Sequence, residues 1–344
     1  MNIDLSNYNG WLPSREVHDI FIIDLLERAT CRYEARAEHV PSVRKFQQTI
    51  QANATMVKLF KNVFLQSPMS QAQIFDFENF LHFLDIIVVE PPKFIQKNGI
   101  SGHISLPMHL LFDILSNTSA AYDLFRMGEF NEALRDLLCS WGEYLKTSDS
   151  GKTLNDGPDG WFSKAAMKAL KKIAVYSTKL TSFSMIPPSI EVPPHRTVIY
   201  NPCESTVARH SSNVQAHDRF WLKGEMPYSL YDIFDGDNDT AQKFVGGTIY
   251  QSFLSPQDYH RWHSPVRAQL WMHASFPALI MPFYLMKAEM ADSDKIGLVA
   301  FIGVGMAEVS TCELLVQPGQ RVEPDEAQKG KHIHVNKIIA NVGE

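Results

Sequence analysis

His260 and His263 stand three residues apart in the string GGTIYQSFLSPQDYHRWHSPV, which runs from Gly246 to Val266. Imidazole titrates near neutral pH, so such a pair can take up a proton and return it. Two close histidines can also share a metal ion. Helical spacing would put both rings on one face, but prolines bound the string and a strand-like run precedes it. A metal site also needs a third ligand. His273 or the His332/His334 pair could supply it, although no spacing requires it. A structured polar loop is the plain alternative to either chemistry.

Other strings that suggest chemistry do not survive inspection. SDSGKT at 148–153 lacks the first glycine of a phosphate-binding loop, since position 146 is Lys, and it follows a helix-like segment. IGLVAFIGVGMAEV carries Gly297, Gly303 and Gly305 without a GxGxxG opening a helix, so a glycine-kinked strand pair fits better. The formal net charge is −6, and Lys168, Lys171 and Lys172 read as the solvated face of a helix. No nucleic-acid partner is implied. Four cysteines, at 31, 139, 203 and 312, have no finger-like or CxxC spacing. They suggest a reduced, cytoplasmic setting without a disulfide framework. MNIDLSNYNGW lacks the basic and apolar regions of a secretion signal. The most apolar stretch, FENFLHFLDIIVVEPP, is interrupted by Glu78, His82 and Asp85 and stopped by Pro91, so no transmembrane segment is expected.

The elements that must position the histidines fall into two kinds. With 344 residues, 45% hydrophobic and 20% charged, the chain can bury a sizeable core, in two domains. Residues 14 to about 180 read as helical. Phe130, Ala133, Leu134, Leu137, Leu138, Trp141, Tyr144 and Leu145 form one apolar stripe on a 3.6-residue period. Ser42 is placed to cap a helix carrying Phe46, Ile50, Val57, Phe60 and Phe64. Asp149–Gly160 is a loop, followed by a Lys/Ala-rich helix from about Ser163 to Tyr176. The proline-rich MIPPSIEVPPH then marks a boundary. Beyond it, TVIYNP, RFWLKG, FVGGTIYQSFL, IGLVAFIGVG and CELLVQPGQRV are short β-type runs punctuated by Gly and Pro.

The string FVGGTIYQSFLSPQDYHRWHSPV resembles the signature of the phosphatidylserine decarboxylase superfamily, whose members are pyruvoyl-dependent lyases. Further similarities follow in the family's order: NPCESTV (201–207), FWLKGEMPYSLYDIF (220–234) and IGLVAFIGVGMAEVSTCELLVQPGQRV (296–322). Together they cover roughly residues 185–322. The helical half resembles the extra N-terminal domain of the branch that includes fungal L-tryptophan decarboxylase. The resemblance implies an α+β fold: a helical N-terminal domain over 1–180, then a β-rich, barrel-like and truncated decarboxylase domain over 185–322. A divergent tail occupies 323–344.

Family chemistry gives the histidines work. The proenzyme, a zymogen, cuts itself at a Gly-Ser bond, and the serine becomes a pyruvoyl group that forms a Schiff base with the substrate amine and takes up electrons as CO₂ leaves. By this resemblance His263 is the maturation base, His260 assists decarboxylation or reprotonation, and Glu204 stands at the family's aspartate position to orient a histidine. All three are expected in one cleft.

Two departures interrupt the match. After Val322 the family continues toward its Gly-Ser site, whereas here EPDEAQKGKHIHVNKIIANVGE follows and no Gly-Ser dipeptide occurs anywhere in the chain. After Val266, RAQLWMHASFPALIMPFYLMKAEMADSD stands where the family has a longer hairpin region. Breaks flanked by good matches read as an altered splice or gene model, not gradual decay. The expectation is a decarboxylase of this family, acting on an aromatic amino acid or in phospholipid biosynthesis on phosphatidylserine. This chain should be inactive because the pyruvoyl group cannot form. The alternatives are a non-catalytic ligand- or partner-binding member and, third, a histidine-based metal-binding protein. A homo-oligomer is left open. Loss of strands after the site should leave a sheet edge uncovered.

Overall fold

The computed structural model describes residues 13–67, 76–116, 118–173, 201–202, 205–223, 226–234, 236–253, 261–266, 268–276, 281–288, 297–303, 312–314, 316–322 and 338–342. The chain divides into two compact units, Met1–Val175 and Tyr176–Glu344.

The first unit opens with α1 (Arg15–Glu34), started by Ser14, whose hydroxyl accepts a hydrogen bond from the Val17 amide. Val17, Phe21, Leu25 and Ala29 recur every four residues and are buried. Next come α2 (Pro41–Ala52) and α3 (Ala54–Gln66). The single helix expected after Ser42 is therefore two. Asn53 breaks it, with extended backbone and a side chain that caps α3 through the Thr55 and Met56 amides. Ser42 does not cap; Val40 holds the N-cap position of α2, and the Ser42 hydroxyl is buried without a hydrogen-bond partner. Val57 faces outward, while Phe46, Ile50, Phe60 and Phe64 are buried as expected.

The interrupted apolar stretch forms α4 (Phe77–Ile87), buried over every residue from Phe80 to Ile87, His82 and Asp85 included. It is a core helix. No helix among the described residues is long and apolar enough to cross a membrane. The all-helical expectation for this half fails next. β1 (Lys93–Lys97) and β2 (Ile100–Ile104) make an antiparallel hairpin. Asn98 and Gly99 turn it with φ of 52° and 78°, the left-handed pair that a two-residue turn of matching twist demands. Helices α5 (Pro107–Ser116), α6 (Ser119–Phe125), α7 (Gly128–Leu145) and α8 (Lys164–Ile173) follow, with a 3-10 helix at Ser148–Thr153 inside the predicted loop.

The expected stripe on α7 is buried at Phe130, Ala133, Leu134, Leu137 and Trp141. Phe130 meets the Phe46, Phe60 and Phe125 rings at centroid distances of 6.0, 5.8 and 4.8 Å, largely edge to face. Such pairs add about 1 kcal/mol each beyond area burial. The Trp141 indole donates to the Glu90 carbonyl at 2.8 Å, and the Trp161 indole to that of Pro92 at 2.9 Å. These two bonds anchor the VVEPP link that leads from α4 into the hairpin.

The second unit contains β3 (Thr206–Ser212), β4 (Phe220–Lys223), β5 (Met226–Tyr228), short helices α9 (Leu230–Ile233) and α10 (Asn238–Gln242), and β6 (Thr248–Phe253). It continues with β7 (Arg261–His263), β8 (Ala268–Phe276), β9 (Met281–Ala288), β10 (Leu298–Ile302), β11 (Cys312–Leu314), β12 (Arg321–Val322) and β13 (Ile338–Val342). The sheets run β10-β9-β8-β12, β11-β13-β7, β3-β6 and β4-β5. The molecule is thus mixed helix and sheet. Among the described residues no sheet closes on itself, so the barrel is not seen there. The β8–β9 hairpin lies in the string that departs from the family pattern after Val266, and β13 in the divergent tail. Neither was anticipated as a strand.

Candidate active site

Strand pairing places the histidine string among its neighbours. β6 carries its first half and pairs antiparallel with β3, with Thr206 opposite Phe253 at one end and Ser212 opposite Thr248 at the other. β7 carries Arg261, Trp262 and His263 and pairs with β13, with Asn341 opposite Arg261 and Ile338 opposite His263. A bulge between Ile338 and Ala340 shifts the register, the usual way to re-aim a strand locally. β13 pairs on its other side with β11, so the tail strand lies in the middle of this sheet. The tail thus contributes a strand to this sheet.

The string ends in a tight buried turn. The Ser264 hydroxyl donates to the Val266 carbonyl at 2.6 Å, and both residues are almost wholly shielded from solvent. β8 then starts, and β12, which carries the Arg321-Val322 end of QPGQRV, pairs with it. The Gly319 amide donates to the Leu270 carbonyl at 2.7 Å, and the Leu270 amide to the Gln320 carbonyl at 2.9 Å. Gly319 sits at φ +85°, which a side chain would strain. Two stretches that are about fifty residues apart in sequence are therefore stitched together by backbone.

Of the three residues assigned to chemistry, His263 is the last residue of β7. His260 and Glu204 lie outside the described residues. On either side of the Cys203-Glu204 pair, the Asn201 amide donates to the Ser205 hydroxyl at 2.9 Å. His332 and His334, weighed as metal ligands, also lie outside the described residues, and His273 lies within β8.

Comparison with known proteins bears on the same strings. Residues 40–170 match one family model and residues 178–330 a second, both described as phosphatidylserine decarboxylase. Decarboxylase iboD of Amanita muscaria is 35% identical over 353 residues, covering 75% of this chain and 99% of that protein. L-tryptophan decarboxylase of Psilocybe cyanescens is 26% identical over 377 residues, covering 91% of this chain and 83% of its own. Phosphatidylserine decarboxylase proenzyme 3 of Schizosaccharomyces pombe is 28% identical over 145 residues, covering 38% of this chain and 15% of its own. This chain belongs to the phosphatidylserine decarboxylase family, and its relatives are decarboxylases. The first two alignments are each longer than the 344 residues of the chain. Both relatives therefore carry residues with no counterpart here, in keeping with the local departures from the family pattern.

Proposed function

We propose that this chain has a decarboxylase-type site for a small amino acid with an aromatic side chain, built on His260, His263 and Glu204. We further propose that the 344-residue chain as it stands does not mature. The extended similarity to an L-tryptophan decarboxylase, covering 91% of the chain, carries the choice of substrate. Phosphatidylserine is the competing substrate, and similarity to the proenzyme named for it covers 38%. In this reading Glu204 orients a histidine, His263 accepts a proton from a hydroxyl nucleophile, and His260 moves a proton at the substrate. Strand register joins the segment that follows Glu204 to the one that precedes His260. From the Thr206–Phe253 end of the β3–β6 ladder, the sequence leads back two residues to Glu204 and on seven residues to His260.

The pyruvoyl group of the family does not fit the residues present. Its formation needs a serine that follows glycine, and no Gly-Ser dipeptide occurs in the chain. Ser264 follows His263 directly, is buried, and has its hydroxyl committed to the Val266 carbonyl. A base without a nucleophile has nothing to activate. The same missing dipeptide favours the second reading, a ligand-binding member of the family without catalysis.

Intact-mass spectrometry of the expressed chain, joined to a carbonyl reagent, tests this. One species at the uncleaved mass, unreactive to the reagent, is expected. Two fragments, one blocked by a keto terminus, would overturn it. Calorimetric titration with tryptophan, phenylalanine and phosphatidylserine vesicles tests the substrate class. Binding of the phospholipid alone would reverse the choice made here.

A further inference from the structure

A compact group of ionisable side chains lies in the helical unit, and the proposed decarboxylase chemistry uses none of them. His39 comes from the link between α1 and α2, and His82 and Asp85 are one turn apart on α4. One ring nitrogen from each histidine and one carboxylate oxygen all lie within 4.8 Å of one another. The His39 Nδ1 is 2.8 Å from Asp85 Oδ2, and the His82 Nδ1 is 3.2 Å from the same oxygen. The two imidazoles lie side by side, their centroids 4.6 Å apart. Asp85 has no solvent exposure in its side chain, and those of His39 and His82 have 11% and 6%.

We propose that His39, His82 and Asp85 form a binding site for a zinc-class divalent cation, through the two Nδ1 atoms and Asp85 Oδ2.

Three features favour a metal over a plain hydrogen-bonded hub. The donor set, two imidazoles and a carboxylate, is that of zinc sites which keep a fourth position for water. In a tetrahedral zinc site adjacent donor atoms stand about 3.3 Å apart; here the two Nδ1–Oδ2 separations are 2.8 and 3.2 Å and all three donors lie within 4.8 Å of one another, so side-chain rotation must bring the imidazoles to a common centre. The second oxygen of Asp85 is already held, and an acidic side chain stands near His39. Asp85 Oδ1 accepts the Val40 amide at 2.8 Å, which leaves Oδ2 aimed at the histidines. The His39 Nε2 is 3.6 Å from Glu78 Oε2, in the relation of a ligating histidine to its outer carboxylate.

One group opposes the cation. Arg32 Nη2 lies 3.2 Å from Asp85 Oδ2 and donates at 2.9 Å to the Glu38 carbonyl. On binding, the guanidinium gives up Asp85 and keeps Glu38. Any protons on the two Nδ1 atoms leave to solvent, and no bond to carbon is made or broken. Arg32 is therefore the natural lever for the test.

The full chain, stripped with chelator, is titrated with Co²⁺ and with Zn²⁺ by visible absorption and calorimetry. One equivalent should bind, with the visible bands of a four-coordinate cobalt site. His39→Gln and His82→Gln should each weaken binding at least about 100-fold, with circular dichroism confirming the fold. His260→Gln and His263→Gln should leave this binding unchanged. Arg32→Gln should tighten it, since a competing cation is removed; a purely structural hub would show a lower melting temperature and no gain in affinity. If both ligand variants fail to fold, zinc protection of His39 from diethylpyrocarbonate in the unaltered chain decides the matter. No binding at 100-fold excess metal, loss of binding on changing His260 or His263, or no gain with Arg32→Gln would each overturn the site.

Discussion

In the helical unit, residues distant in sequence meet through side chains. Phe60 stands within 6.3 Å, centroid to centroid, of Phe46, Phe64, Phe77, Phe80 and Phe130. Asp85 gathers Arg32, His39, Val40 and His82 around one carboxylate. In the β unit, backbone ladders join strands that are distant in sequence, such as β3 to β6 over six pairs and β12 to β8 over two. The difference matters for tolerance. A side-chain key is lost by truncating one residue, because neighbours in a close-packed core cannot refill the space. A ladder survives most single substitutions, because each rung is peptide, but it responds to a residue that changes backbone conformation.

Phe60→Ala is expected to have the largest effect of those considered, a loss of about 3–5 kcal/mol in unfolding free energy. Denaturant titration followed by tryptophan fluorescence measures it. A loss below about 1 kcal/mol would mean that the ring cluster repacks and is not the key to this unit.

Gly319→Ala probes the other region. Moving a Cβ into the φ +85° conformation costs about 1–2 kcal/mol. The cost should be local, seen as faster amide exchange at Leu270 and Gly319, whose backbone bonds close the β8–β12 junction. If Gly319→Ala destabilises the protein as much as Phe60→Ala does, the contrast between the two units fails.

The smallest effect concerns pH. Burial pushes the His18 pKa below its ordinary value, against the opposing pull of Asp19 and a backbone hydrogen bond to Leu110. The folded protein therefore resists protonating His18, while the unfolded chain takes the proton near pH 6.5. Stability should fall as pH drops below about 6.5, because the unfolded state then binds more protons. His18→Gln should flatten this part of the profile between pH 7.5 and 5. A profile of unchanged slope would remove His18 from the account.

How much of this could be seen in advance depended on how local the signal was. The α7 stripe is a repeat within eighteen residues, and its period was sufficient. The histidine string was recognised because its residues are contiguous. The β1–β2 hairpin also has a local signal, Asn98-Gly99, but one dipeptide stands among long helical patterns. Asn53 as a helix break was harder to see, since asparagine is tolerated within helices and only its cap geometry marks the boundary. The group at His39, His82 and Asp85 had no signal of spacing beyond one turn of α4. His82 and Asp85 were noticed as interruptions of an apolar run. Only the approach of the α1–α2 link gave those interruptions a partner.

The bond between Asp85 and Val40 bears on the order of folding. α2 begins without a capping side chain of its own. Its first turn is instead closed by a carboxylate from α4, 45 residues further along the chain, placed where a negative charge favours a helix start. A twelve-residue helix is marginal by itself, so α2 should gain its structure only once α4 has docked. Substitutions within α2 should then leave the folding rate nearly unchanged and speed unfolding instead.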